Sequence, residues 1–193
     1  MPVAVGPGMT KLLIIVGSVR PGRIGLPVAQ WVREAAESHG GFDIDFVDLK
    51  ELALPFMDEA QHPAKRAYEH EHTLAWSARV DAADAFIFVS PEYNHSYSPA
   101  LKNAIDFLFQ EWRHKPVGYV NYGGASAGTR GVAALDAVAV TVGLVKVAAA
   151  VEINSPANYV EDGVFSPDEK HRSVLSGMLS ELVATSAALR VFR

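Results

Sequence analysis

Residues 11–25 read KLLIIVGSVRPGRIG, an apolar run that leads directly into a glycine-rich turn. A continuous run of aliphatic residues is typical of a strand buried on both faces, as in a parallel sheet. The turn carries one hydroxyl, from Ser18, and two guanidinium groups, from Arg20 and Arg23. The residues that follow have helical spacing, so the segment predicts a strand, a polar loop and a helix in that order.

Four further apolar blocks predict four more strands buried on both faces. The five predicted strands are residues 11–16, 44–47, 85–89, 117–122 and 145–151. Helical patterns run from Leu26 to a stop at Gly40, over residues 66–83, over 101–109 after an N-cap at Ser98, and over 129–142 and 168–190. Strands that alternate with helices in this way predict a doubly wound α/β domain.

The composition of the whole chain limits the class of protein. Its 193 residues suit one domain over residues 11–193, preceded by a flexible lead-in over residues 1–10. The formal charge of −5 argues against a nucleic-acid binder, and the absence of cysteine excludes disulfides, thiolate metal sites and thiol nucleophiles. Residues 1–10 lack the pattern of a secretory signal, so we expect a cytoplasmic protein.

One apolar stretch, residues 132–151, is long enough to span a bilayer. Asp136 and Lys146 interrupt it, and Thr141, Val142 and Gly143 divide it into two pieces. A buried helix followed by a buried strand costs less free energy than two charges placed in lipid. No membrane partner is therefore expected.

The first loop (residues 17–24) has the chemistry of an anion site. Free N–H groups at a helix start attract anions, and Ser18, Arg20 and Arg23 add hydrogen-bond donors and charge. The loop lacks the lysine and the hydroxyl residue of a Walker A motif, and its glycine spacing differs from the dinucleotide fingerprint. These features favour a phosphate monoester. The alternative is a strand–helix turn whose glycines only shape the backbone, with both arginines solvated.

The second loop follows the third predicted strand, where residues 90–106 read SPEYNHSYSPALKNAID. For a strand order of 2-1-3-4-5, the first and third strands are neighbours, and the loops after them line one crevice. One of these loops carries phosphate-binding chemistry, and the other a proline-stiffened turn with tyrosines, an amide and hydroxyls. The pair fits a ligand with a phosphate at one end and a flat heteroaromatic ring at the other.

Two motifs, G-S-x-R at residues 17–20 and P-E-Y-N-x-S-x-x-P-A-L-K-N-A-I-D at 91–106, resemble those of the NADPH-dependent FMN reductase family. The resemblance extends from residue 11 to at least residue 151. It implies a flavodoxin-like three-layer α/β sandwich with a five-stranded parallel sheet of order 2-1-3-4-5 and helices on both faces. It also implies bound FMN and a co-substrate, NADPH or NADH.

The same resemblance implies a set of cofactor-binding residues. Those at the phosphate are Ser18, Arg20 and the backbone around Arg23, Ile24 and Gly25. Those that border the flavin ring are Pro91, Glu92, Tyr93 and Asn94. Those in the loop after the fourth strand, at the pyrimidine edge, are Gly123, Gly124 and Ser126. Many family members have a serine or threonine at the position of Gly25, so this chain lacks one phosphate donor, for which Arg23 is the candidate substitute.

Several side chains near these motifs have a second interpretation. Glu92 either contacts the ligand or accepts hydrogen bonds within its own turn. Tyr93 is assigned to the flavin, and Tyr97 is left open between ligand and interface. His95 is assigned to the loop or a dimer surface rather than to a catalytic acid, and Lys102, Asn103 and Asp106 are assigned to structural contacts. The histidines and glutamates at 62–72 match no standard metal-ligand spacing, so we expect a solvated polar helix and no metal site.

The resemblance implies an oxidoreductase that passes hydride from NADPH to bound FMN and on to a small-molecule acceptor such as a quinone, free flavin, azo dye or metal oxyanion. No catalytic side chain is named, because the cofactor supplies the chemistry and backbone donors hold the charge. A flavodoxin-type electron carrier is the main alternative, although a charge of −5 is mild for one. A nucleotide- or metabolite-binding module without redox activity is a third interpretation.

The resemblance also implies a homodimer or homotetramer. The apolar flank of residues 101–109 and Trp112 are the candidate contact surface.

Overall fold

The computed structural model describes residues 8–193, so the first seven residues of the predicted lead-in lie outside the described residues. The strands of the main sheet are Thr10–Val16 (β1), Phe42–Asp48 (β2), Ala85–Pro91 (β3), Pro116–Gly123 (β4) and Val145–Asn154 (β5). Their order is β2-β1-β3-β4-β5, and every neighbouring pair is parallel. The predicted strands and their order are confirmed, each strand being slightly longer than its apolar block.

Six α-helices accompany the sheet in the described part of the chain. They are Gly25–His39 (α1), Leu49–Leu52 (α2), Glu71–Ala82 (α3), Pro99–Asp106 (α4), Thr129–Thr141 (α5) and Glu169–Leu189 (α6). A small antiparallel hairpin, Val160–Glu161 (β6) and Val164–Phe165 (β7), precedes α6. The short helix α2 and this hairpin have no counterpart in the sequence prediction, because neither is long enough to show a periodic pattern.

The alternation of side chains along β1 divides the core into two layers. Leu12, Ile14 and Val16 face one side of the sheet, where they belong to a cluster with residues of α1 and α6. Leu13 and Ile15 face the other side, in a cluster with residues of α3, α4 and α5. Successive side chains of a strand point to opposite faces, so the continuous apolar run of β1 fills both layers. Helices on both faces of the sheet are therefore confirmed.

The prediction that all five strands are buried on both faces is wrong for the two edge strands. In β1 every residue except Lys11 is buried, and in β3 every residue is buried. The edge strands β2 and β5 each contain exposed residues. An edge strand has a neighbour on one side only, so part of its surface remains open to solvent.

Two predicted helix boundaries are corrected by the structure. The helical pattern over residues 66–83 begins only at Glu71, because Arg66 has a φ of +51° and the Glu59 carboxylate accepts hydrogen bonds from the N–H groups of Glu69 and His70. Helix α4 ends at Asp106 rather than continuing to residue 109, and the chain then turns so that Trp112 is fully buried. Trp112 therefore belongs to the core, and its predicted role in a contact surface is wrong.

The apolar stretch over residues 132–151 forms parts of α5 and β5, separated by a turn. The predicted helix and strand are both present, but neither is buried throughout, since α5 exposes Val140 and β5 also contains exposed residues. One other segment of the described chain, Glu169–Phe192, is long and apolar enough to cross a membrane by length and composition. Its residues Leu175, Met178 and Leu182 are buried in the core layer that α6 shares with α1.

Candidate functional site

A cavity of about 280 Å³ lies at the carboxyl ends of β1, β3 and β4. We call it the first-loop cavity. It is lined by Ser18, Arg20, Pro21, Gly22, Arg23, Ile24, Pro91, Tyr93 and Tyr122. The structure thus brings together most of the residues predicted at the phosphate with two of those predicted at the ring.

Hydrogen bonds from neighbouring elements hold the first loop in place. Gly17 donates its N–H to the Val89 carbonyl at 2.8 Å, and the Ser98 hydroxyl donates to the Gly17 carbonyl. An alanine Cβ at Gly17 would lie 3.1 Å from the Val89 carbonyl oxygen, so the close approach of β1 to β3 requires the absence of a side chain there. Contacts with β3 and with the start of α4 therefore hold the first loop in position.

Arg23 is already engaged within the protein. Its guanidinium donates to the Ser18 carbonyl at 3.0 Å and forms an ion pair with Asp48, and both side chains of that pair are about nine-tenths buried. The expectation that Arg23 substitutes for a missing donor at residue 25 is therefore weakened, because Asp48 neutralises much of its charge. Arg20, by contrast, is exposed at the cavity and has no ion-pair partner within residues 8–193.

Helix α1 begins at the cavity without a side-chain cap. Its N-cap residue is Ile24, whose side chain cannot accept a hydrogen bond from the first turn. The first N–H groups of a helix have no partner within the helix, and here no cap from the described chain satisfies them. They are available to an anion, which the helix dipole also favours at this end.

Tyr122, near the end of β4, was not among the predicted site residues. It is 6% exposed and lines the first-loop cavity, and its hydroxyl lies close to Ser18 without a hydrogen bond of ordinary geometry to any of the described residues. A Cβ atom added to Gly25 would lie 2.3 Å from this hydroxyl oxygen. The one sequence feature that points to Tyr122 is the missing hydroxyl at residue 25, and only the packing of β4 beside α1 connects the two positions.

The second loop (residues 92–98) folds back on itself as a tight hairpin. Tyr93 and Ser96 exchange two backbone hydrogen bonds at 2.8 and 2.9 Å, and the two residues between them, Asn94 and His95, have φ values of +48° and +68°. Positive φ at both central positions is the type I′ turn, which favours asparagine. The backbone thus accounts for Asn94, which is exposed and does not line the cavity. Tyr93 faces the first loop, its hydroxyl 3.1 Å from the Ser18 hydroxyl.

Glu92 binds the third loop (residues 124–128) and the start of α5 rather than the first-loop cavity. Its carboxylate accepts hydrogen bonds from the Ser126 hydroxyl at 2.8 Å, the Arg130 N–H at 3.1 Å and the Arg130 Nε at 2.7 Å. Arg130 also contacts the His95 ring nitrogen at 2.7 Å. Of the two interpretations of Glu92, the structure favours an internal acceptor, although for the neighbouring loop and not its own turn. The Ser126 side chain is likewise used within the protein.

The charge of Glu92 follows from these contacts. Burial raises the pKa of a carboxyl group, but the hydrogen bonds from Ser126, Arg130 and Gly131 outweigh burial and hold the pKa of Glu92 below its ordinary value of 4.5. A lowered pKa means that the ionised carboxylate stabilises the folded state at neutral pH, and that this contribution is lost as pH falls through the folded-state pKa.

Replacing Glu92 by glutamine is expected to lower the free energy of unfolding at pH 7 by about 1–2 kcal/mol, because two charge-assisted contacts are weakened. The difference from the wild type should shrink as the pH falls below about 4.5. Urea unfolding followed by circular dichroism from pH 3 to 7 measures it. Glu152→Gln, an exposed carboxylate on β5, is the control. A wild-type to Glu92→Gln difference that is constant with pH would contradict the role of the carboxylate charge.

The third loop offers backbone donors next to the second loop. Gly123 packs closely on Gly128, whose N–H lies 3.1 Å from a Cβ position at Gly123. The N–H groups of Gly124, Ala125 and Ser126 donate to no backbone carbonyl within residues 8–193. Gly124 and Ala125 are exposed. The loop therefore presents N–H groups at the same sheet edge as the first-loop cavity.

The remaining side chains near the motifs make internal contacts. Asn103 donates to the Pro55 carbonyl at 2.7 Å and accepts from the Met57 N–H at 3.0 Å, and Lys102 pairs with Asp106. These are the structural contacts predicted for residues 102–106. His70 and His72 stack on each other and contact Asp58, and no group of three metal-ligating side chains occurs in the described part of the chain.

Comparisons with known proteins identify the family of this chain. A model of the NADPH-dependent FMN reductase family matches residues 10–157. An NAD(P)H-dependent FMN reductase from Schizosaccharomyces pombe is 42% identical over 120 residues, which cover 61% of this chain and 60% of that protein. This chain thus spans less than two thirds of that relative's length.

Two further proteins match over nearly their whole length. An NAD(P)H:quinone oxidoreductase from Solanum tuberosum is 28% identical over 191 residues, which cover 93% of this chain and 94% of that protein. Among solved structures, FerB, a flavoenzyme NAD(P)H:(acceptor) oxidoreductase from Paracoccus denitrificans, superposes with a TM-score of 0.75 at 25% identity. That superposition covers 93% of this chain and 98% of FerB.

Proposed function

The chain belongs to the NADPH-dependent FMN reductase family, and from this premise we propose that it binds FMN and uses NADPH or NADH to reduce a small-molecule acceptor. The observation that carries the proposal is the first-loop cavity. An uncapped helix start, the Ser18 hydroxyl and the exposed Arg20 guanidinium converge there, next to the aromatic ring of Tyr93. This donor set suits a dianionic phosphate monoester.

Each of these groups has a distinct role in the proposal. Ser18, Arg20 and the first N–H groups of α1 bind the phosphate, while Pro91 and Tyr93 border the flavin ring. Arg23 holds the first loop in shape through Asp48 and the Ser18 carbonyl. Glu92 and Ser126 hold the third loop beside the second loop, and Asn94 allows the tight turn of the second loop.

When bound, FMN supplies the hydride chemistry by accepting hydride from the nicotinamide and giving reducing equivalents to the acceptor. The protein's contribution is binding, orientation and electrostatics. Free N–H groups of the third loop are suited to hold the negative charge that gathers at the pyrimidine edge, as the donors of an oxyanion hole do. This requires no proton transfer from a side chain, and no catalytic side chain is proposed.

The purified protein is expected to be yellow, or to become yellow when FMN is added. Under anaerobic conditions, NADPH should bleach the flavin absorbance near 450 nm, and a quinone should restore it. Protein that binds FMN but is not bleached by NADPH or NADH would instead be a flavodoxin-type electron carrier. Protein that binds no flavin would contradict both the reductase and the electron carrier, and would favour a binding module without redox activity.

Replacing Arg20 by alanine is expected to weaken FMN binding by about 10- to 100-fold and to leave riboflavin binding nearly unchanged, since only FMN carries a phosphate. Arg20 makes a sharper test than Arg23, because loss of Arg23 would also leave Asp48 buried without its partner. Titration by flavin fluorescence quenching measures both affinities. Arg172→Ala removes the same charge from an exposed position on α6 and serves as the control. Equal losses for both flavins would exclude a phosphate role for Arg20.

We further propose that the chain forms homo-oligomers through the surface beside the first loop. Val19, Leu54, Pro55 and Phe56 line a mainly apolar cavity of about 510 Å³, and Phe56 is 89% exposed. Exposed apolar surface of this kind is typical of an interaction site. Light scattering coupled to size-exclusion chromatography should give at least twice the 20.8 kDa chain mass, and Phe56→Ser should shift it toward monomer. A wild type that is monomeric at micromolar concentration would contradict this proposal.

A further inference from the structure

The glycine at residue 25 is explained by space rather than by backbone conformation. Gly25 does not have a positive φ, so other residues could adopt its backbone conformation. A Cβ at this position would lie 2.3 Å from the Tyr122 hydroxyl oxygen and 3.2 Å from the adjacent ring carbon. No real Cβ contact is as short as 2.3 Å, so a side chain at residue 25 and the Tyr122 hydroxyl exclude each other.

The Tyr122 hydroxyl lacks a partner at a place where a partner is expected. Tyr122 is 94% buried, and its hydroxyl, although close to Ser18, makes no hydrogen bond of ordinary geometry within residues 8–193. Buried polar groups are nearly always hydrogen-bonded, and an exception calls for a ligand or a bound water. The residue also lines the first-loop cavity, together with Ser18 and Arg20.

The backbone of Tyr122 is held rigidly. Its carbonyl accepts a hydrogen bond from the Glu92 N–H at 2.9 Å, and it pairs with Pro91 and Ile153 in the sheet. A donor on a strand end needs little reorganisation to bind a ligand. Burial raises the pKa of the Tyr122 hydroxyl above its ordinary value of 10, so the group is protonated at neutral pH and can donate a hydrogen bond to an anion.

We propose that the Tyr122 hydroxyl donates a hydrogen bond to the phosphate of FMN and takes the place of the side-chain donor that Gly25 lacks. The inference rests on the proposed function, because it assigns one residue to the phosphate end of that site. It replaces the expectation that Arg23 fills this role, since Arg23 is paired with Asp48.

The first test compares FMN with riboflavin on the flavin-free protein. Tyr122→Phe removes a single oxygen atom that makes no hydrogen bond of ordinary geometry within the described residues, so the fold should be retained, which urea unfolding checks. Titration by flavin fluorescence quenching should show FMN affinity reduced about 10-fold or more and riboflavin affinity within about twofold of wild type. Unchanged FMN affinity, or equal losses for both flavins, would overturn the assignment.

The second test moves the hydroxyl group from the side chain of residue 122 to that of residue 25. Gly25→Ser alone should weaken FMN binding, because its Cβ displaces the Tyr122 hydroxyl. The double variant Gly25→Ser with Tyr122→Phe should regain most of the affinity lost by Tyr122→Phe, since it restores one hydroxyl and removes the clash. The serine Cβ then lies about 3.2 Å from the ring carbon, which requires a shift of only a few tenths of an ångström. A double variant that binds FMN no better than either single variant would contradict the exchange.

These binding measurements separate the two proposals. Wild-type protein that binds FMN, together with a Tyr122→Phe variant that binds it equally well, overturns the role of Tyr122 and leaves the proposed function standing. Wild-type protein that binds neither flavin overturns both.

Discussion

Gly128→Ala is expected to lower the free energy of unfolding by about 2–6 kcal/mol. Gly128 has a φ of +91°, a conformation that costs a non-glycine residue about 1–3 kcal/mol. Its new Cβ would also lie 2.7 Å from the Asn121 Cβ and 2.8 Å from the Tyr122 N. Neither atom belongs to a flexible side-chain end, so the backbone must move, at a further cost of about 1–3 kcal/mol.

The same substitution should weaken FMN and riboflavin binding together. Movement of the third loop and of the end of β4 displaces donors for the flavin ring as well as Tyr122. This outcome differs from those expected for Arg20→Ala and Tyr122→Phe, which act on the phosphate alone. Urea unfolding and fluorescence titration measure the two effects.

Gly124→Ala is the matched control in the same loop. Gly124 has no positive φ, and a Cβ there meets nothing within 4 Å, so its stability should stay within about 0.5 kcal/mol of wild type. If Gly128→Ala were as stable as Gly124→Ala, the argument from conformation and close contact would be wrong.

Trp112→Ala is expected to cost about 3–5 kcal/mol, the range for truncation of a buried aromatic residue. Trp112 is fully buried, its indole N–H donates to the Ile105 carbonyl at 3.1 Å, and its ring lies 5.0 Å from that of Phe86. Truncation leaves a cavity between α3 and the sheet and removes one of two hydrogen bonds to the Ile105 carbonyl, which still accepts from the Leu108 N–H at 3.2 Å. Urea unfolding at pH 7 measures the loss.

Two control variants show whether the stability loss of Trp112→Ala comes from buried aromatic packing. Trp112→Phe keeps most of the aromatic packing and should lose less than half as much, whereas Val140→Ala shortens a 75% exposed side chain on α5 and should change stability by less than about 0.5 kcal/mol. A Trp112→Ala variant as stable as wild type, but altered in oligomeric state, would restore the surface role that the sequence suggested.

Much of the fold could be predicted because the sequence features that specify it lie within single segments of the chain. The apolar runs of β1 and β3 are buried on both faces, and such runs predict central parallel strands without any knowledge of their neighbours. The start of α4 follows from Ser98, whose hydroxyl accepts hydrogen bonds from the first turn, and from Pro99. The sequence pattern misplaced the strand ends and the start of α3, and it missed the exposure of β5. Each of these features depends on which element lies beside it, and the pattern of a single segment does not contain that information.

The layered fold, the family and the polar loops at one sheet edge can be inferred from the amino-acid sequence alone, because periodic apolar residues and short motifs involve neighbouring positions. The contacts of each loop residue become visible only in the folded chain. Arg23 pairs with Asp48, Glu92 binds Ser126 and Arg130, and the Tyr122 hydroxyl occupies the space above Gly25. Each of these contacts joins residues from different strand ends that are far apart in the chain. Their partners are fixed by the parallel order of the sheet, which no local pattern contains.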